Sequence, residues 1–121
     1  YTKDINQTRV NYSKFPERYC GGHINVSAPF IKTFDDACKF IQILDVGLAQ
    51  FLATFEDKRW SQKRRRVYGK NGDFRWREDK KRVEYRTPDA SWVWADLQNG
   101  LVMPNIFRIV SDSIKRFNAR N

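Results

Sequence analysis

The feature that most constrains this chain is a run of apolar residues at helical spacing. Ala37, Ile41, Leu44, Leu48, Phe51, Leu52 and Phe55 recur every three or four positions, so residues Phe34 to about Glu56 are expected to form one amphipathic helix with a wide apolar stripe. Thr33, with Asp36 three residues on, supplies the capping pattern that opens it. A stripe of that length must be covered by the rest of the chain. Gly47 within it costs about 1 kcal/mol against alanine and marks close packing.

Candidates for the cover are segments with a period of two. In His23-Ile24-Asn25-Val26-Ser27, after Gly21-Gly22, the apolar pair faces one way and the polar trio the other. In Arg82-Val83-Glu84-Tyr85-Arg86-Thr87, Val83 and Tyr85 share one face while Glu84 sits between two arginines on the other; Pro88-Asp89 ends the strand. Phe74 and Trp76 alternate with Arg75 and Arg77, and a turn at Asp79-Lys80-Lys81 predicts a hairpin of Phe74 to Glu78 with Arg82 to Thr87. Residues 57–66 read as a charged connection with room for a helical turn. A helix through Trp92, Trp94, Ala95, Leu97 and Leu101 follows, with both tryptophans in the core. Pro104 either breaks it or sits in the first turn of a last helix, which is buried through Ile106, Phe107, Ile109, Val110, Ile114 and Phe117. The fold class is therefore α+β: an antiparallel sheet with a concave charged face and about three helices behind it.

With 121 residues, the chain has material for a single domain, or for the C-terminal part of a longer one, behind an irregular leader at residues 1–18. The absence of an initial Met favours the longer chain. Cys20 and Cys38 form neither a disulfide framework nor a metal knuckle, Cys38 reading as a small core residue, and a reducing cytoplasm is the expected compartment. No apolar run reaches membrane-spanning length. A net charge of +9, concentrated between Lys58 and Arg86, points to polyanionic partners: the phosphates of a nucleotide, or nucleic acid.

Three polar clusters can carry chemistry: His23, Asn25 and Ser27; the basic, glycine-containing stretch from Arg64 to Arg75; and Arg82, Glu84 and Arg86. An imidazole and a carboxylate suit Mg²⁺ or Mn²⁺, and guanidiniums clamp phosphate in bidentate fashion. Each cluster alone has a plainer explanation. A single histidine on a strand is usually a hydrogen-bonded structural residue, an arginine run is usually a solvated face, and the glycine pairs are turn chemistry with no phosphate-loop fingerprint.

Taken together, and in this order, Gly21 to Ser27, Arg64 to Arg75, and Val83 to Pro88 followed by Trp92 resemble the phage-type carboxylate-amine ligases (COOH.NH2 ligase type 2) of the glutamine synthetase and glutamate-cysteine ligase superfamily. The resemblance covers about Phe15 to Leu101. It implies that His23 and Glu84 are ligands of a divalent metal, that Arg86 (with Glu84) is catalytic and clamps the transferring phosphoryl group, and that Arg64, Arg65, Lys70 and Arg75 contact nucleotide or acyl phosphate. The implied reaction is ATP- and Mg²⁺-dependent activation of a small carboxylate or peptide as an acyl phosphate, followed by attack of an amine, in the cytoplasm of a bacterial host. An oligomer is compatible with it. The sequence departs from the family twice: Asn25 stands where a second His is common, and the family's early Glu-x-Glu strand has no counterpart before Gly21. Those departures leave a competing reading, a non-catalytic phage structural or accessory protein, or a basic nucleic-acid-binding module, on the same scaffold.

Overall fold

A computed structural model describes residues 21–67 and 69–120 of the chain. The leader at residues 1–18 and Cys20 lie outside the described residues. Three short antiparallel strands, β1 (Ile24–Ser27), β2 (Phe74–Arg77) and β3 (Arg82–Tyr85), form one sheet in the order β1-β3-β2. The strand with Glu84 is thus central, and β1, closer to the start of the chain, pairs along its far side. The α+β class expected from the patterning is what the chain adopts.

The long periodic segment runs on as α1 (Phe34–Leu44), a π-helical turn (Asp45–Ala49) and α2 (Gln50–Ala53). Thr33 caps it, its hydroxyl accepting the Asp36 N–H at 3.1 Å. The π turn falls around Gly47, where a Cβ would stand 3.1 Å from Ile109 of the last helix. The extra residue in that turn rotates the stripe so that Leu48 and Leu52 stay in the core with Phe40, Ile41 and Leu44. Against these pack Val26, Val83, Tyr85, Phe74 and Trp76 from the sheet, and Val102, Ile106 and Phe117 from α5 (Val102–Asn118). Cys38, half-buried on α1, packs against the edge of the same core.

The structure corrects four expectations of the fold. Residues 57–66 hold more than one helical turn: Asp57 caps an eight-residue helix, α3 (Lys58–Arg65), its carboxylate accepting the N–H groups of Arg59 and Trp60 at 2.9 and 3.3 Å. The helical layer therefore has one member more than expected. The hairpin is shorter than expected, since a 3₁₀ turn at Glu78–Lys80 and a left-handed Lys81 close it. The third correction concerns α4 (Ser91–Asn99). Trp92 packs against the core and donates from Nε1 to the Gly22 carbonyl at 3.0 Å, but Trp94 is 65 % and Leu97 75 % exposed. Phe107 on α5, expected inside, is also exposed. Among the described residues no helix is long and apolar enough to cross a membrane.

Candidate functional site

Strand alternation and register together build the site. Asn25 of β1, Glu84 of β3 and Arg75 of β2 stand opposite one another in one row, and Ser27, Arg82 and Arg77 form the next. The helices pack on the Val83–Tyr85 face, so these polar rows lie on the other side of the sheet. Continuing the alternation brings His23 and Arg86 to the same polar face. His23 Nδ1 lies 3.4 Å from one Glu84 oxygen, and Arg86 Nε 3.9 Å from the other. All three side chains are largely withdrawn from solvent.

Local chemistry explains how each is held. A Cβ on Gly21 would collide with the ring edge of His23 that carries Nε2, so a glycine there lets the imidazole lie against the backbone with Nδ1 turned to Glu84. The Gly22 N–H donates to the Pro88 carbonyl at 2.9 Å, tying the start of β1 to the end of the Glu84 strand. Arg86 is fixed through its main chain, donating to the Asp73 carbonyl at 2.9 Å. Asp73 itself is buried and accepts the Gly69 N–H at 3.0 Å. Sequence reasoning missed this aspartate. Its position after the Asn71-Gly72 turn was the available signal.

Burial sets the electrostatics of the imidazole. Desolvation pushes the His23 pKa below its ordinary value of 6.5, Glu84 pulls it up, and the Arg86 and Arg64 guanidiniums push it down again; the net is a lowered value. At neutral pH the ring is uncharged and keeps a nitrogen lone pair for a cation or a proton.

The basic stretch does not act as a block. Arg64, expected on the nucleotide side, is only 2 % exposed and turned inward: its guanidinium donates to the main-chain carbonyls of Thr87 (2.6 Å), Pro88 (3.0 Å) and Arg86 (3.4 Å). The reason is geometric. The turn leaving the Glu84 strand presents consecutive carbonyls, and a five-donor fork satisfies them together. Gly69, at φ 69°, leaves the space that fork fills. Arg64 therefore acts as a strut beneath the site, its guanidinium spent on main-chain carbonyls. Arg65 pairs with Glu56, its Nη2 donating to the two carboxylate oxygens at 3.1 and 3.2 Å. Lys70 is exposed and Arg75 half-buried, the latter in the row of Glu84.

A metal ion is implied by the resemblance, and the donors present can be compared with it. Two donor atoms 3.4 Å apart can share one ion whose ligand distances are about 2.0–2.2 Å. Among the described residues no third His, Cys, Asp or Glu joins them. One imidazole and one carboxylate can hold a divalent cation only where waters or phosphate oxygens fill its remaining positions. Beside His23 runs an apolar groove of about 500 Å³ between β1 and α5, with Trp92 at one end and Ile106, Val110 and Ile114 along its wall.

The sheet thus has a charged face, rich in guanidiniums around one carboxylate and one imidazole, and an apolar face closed by helices. The chain belongs to the family described as Phage phiEco32-like COOH.NH2 ligase-type 2, whose model matches residues 6–119, and the family name is that of a carboxylate-amine ligase. No curated protein and no solved structure matches the chain.

Proposed function

We propose that the chain carries the phosphate-handling face of an ATP-dependent, amide-forming carboxylate-amine ligase. One observation carries the reading beyond the family name: the sheet collects Arg75, Arg77, Arg82 and Arg86 with Glu84 and His23 on one face. Like charges opposite one another, as at Arg77 and Arg82, destabilise a bare sheet; Asp79, 3.5 Å from Arg77, offsets part of that repulsion and an anion held among the guanidiniums would offset more. Lys70 and Arg75 contact nucleotide or acyl phosphate in this reading.

The substrate carboxylate attacks the terminal phosphorus of ATP, ADP leaves, and an acyl phosphate forms. An amine then attacks the acyl carbon, phosphate leaves, and an amide remains. Arg86 stabilises the charge that spreads over the transferring phosphoryl group, already oriented before substrate arrives because Asp73 holds its backbone. His23 and Glu84 would hold a divalent cation, which would supply neutralisation of the phosphate charge. The groove beside His23 admits the substrate's apolar part.

The test is Mg-ATP binding by calorimetry in the full-length protein, repeated with Glu84→Ala. Loss of binding is expected, together with loss of amine-dependent ADP release. Unchanged binding and turnover would remove Glu84, and with it the reading, from the site.

A further inference from the structure

The inward members of the basic stretch, Arg64 and Arg65, are held by carbonyls and by Glu56, whereas its outward members lie away from the candidate site. On α3, Ser61, Arg64 and Arg65 point toward the body of the protein. Arg59, Lys63 and Arg66 follow one another at i, i+4 and i+7, which places them in a single stripe on the opposite side. All three are exposed, as is Lys58 beside them. Within the last turn such charges complement the helix dipole, but like charges one turn apart repel, and solubility alone does not call for their alignment.

The stripe also carries an aromatic residue. Trp60 is 47 % exposed, and the Lys63 ammonium lies 4.9 Å from its ring centroid. Asp57, which caps the helix, reaches the Arg59 guanidinium at 3.9 Å. The acidic residue that precedes it, Glu56, is turned inward to Arg65. The outer surface of α3 therefore combines aligned cations with a solvent-facing indole whose polar surroundings give it no place in the core. Charges that track a phosphate backbone, together with an aromatic ring that stacks on a base, are the two elements by which proteins hold single strands without reading their sequence.

We propose that this outer stripe binds single-stranded nucleic acid, Arg59, Lys63 and Arg66 meeting phosphates and Trp60 stacking on an unpaired base. From Arg59 to Arg66 the stripe spans roughly 10 Å of helix axis, which three long side chains extend to neighbouring phosphates. A duplex, whose bases are already stacked on one another, offers the indole nothing comparable. The site needs neither ATP nor metal and stands or falls separately from the ligase reading.

The experiment is fluorescence anisotropy of a labelled thymidine oligonucleotide, about 15 nucleotides long, titrated with the full chain over a range of salt concentrations. Replacing the stripe by Arg59→Gln, Lys63→Gln and Arg66→Gln together is expected to weaken binding more than tenfold and to lower the salt slope by about two, at roughly 0.7 per phosphate contact. A triple variant of equal charge change elsewhere, Lys80→Gln, Lys115→Gln and Arg116→Gln, all exposed, is expected to retain most of the binding. Trp60→Ala is expected to lose fivefold or more with the salt slope unchanged, and Trp60→Phe to recover most of it. Equal weakening by both triple variants would assign the binding to net charge and overturn the site. A duplex bound as tightly as the single strand, and indifferent to Trp60→Ala, would overturn the stacking role.

Discussion

Gly69 leaves empty the volume that the Arg64 guanidinium occupies: a Cβ added there would overlap the guanidinium group itself. The two residues form one device, a left-handed glycine that opens the space and a buried cation that holds three carbonyls. Gly69→Ala is expected to cost at least about 2 kcal/mol, from the left-handed backbone and the collision together. Arg64→Lys is expected to lose about 3 kcal/mol, because one ammonium cannot replace the fork across consecutive carbonyls. Urea unfolding measures both, and an Arg64→Lys variant as stable as the parent would show that the strut is dispensable.

The single histidine gives the site a spectroscopic handle. Its pKa in the folded protein lies below 6.5, chiefly through desolvation, so the unfolded chain takes up a proton at a higher pH than the folded one. The stability owed to His23 is therefore complete above pH 6.5 and is lost as pH falls through 6.5 toward the folded value. Proton NMR of the imidazole should give a midpoint below 6.5. In Glu84→Gln, where the carboxylate that raises it is gone, the midpoint should fall further; a rise would contradict the pairing of these two residues.

Glu56 presents the opposite sign. Its side chain is almost wholly buried, and burial raises its pKa above the ordinary 4.5 despite the pull of Arg65. A raised carboxylate stabilises the fold at low pH, and that contribution fades as pH rises through the folded pKa. The stability of the parent relative to Glu56→Gln should therefore fall as pH goes from 4.5 to 7. Thermal unfolding at a series of pH values measures it, and a difference that grows with pH would mean that the ion pair outweighs desolvation.

Two aromatic residues separate core from surface. Phe40 is fully buried, with its ring edge-on to Phe30 and Phe117, whereas Trp94 is open to solvent. Phe40→Ala is expected to cost about 3–5 kcal/mol, and Trp94→Ala within about 0.5 kcal/mol, in denaturant unfolding. A large loss for Trp94→Ala would place that ring in the core after all.

What the sequence by itself determined is periodic and local. Alternation in residues 23–27 and 82–87 assigned Ile24, Val26, Val83 and Tyr85 to one face and His23, Glu84 and Arg86 to the other, and helical spacing delimited the Phe34 rod, because side-chain direction follows from backbone geometry within a few residues. Tertiary structure decided what depends on distant partners. It set β1 beside β3, so that His23 reached Glu84; it sent Arg64 inward while Lys63 and Arg66 stayed out; and it half-buried Trp92, bonded to Gly22, while leaving Trp94 and Phe107 exposed. A charge run and an aromatic pair look uniform in sequence. Only the carbonyls, glycines and helix faces brought against them in space distinguish one member from the next.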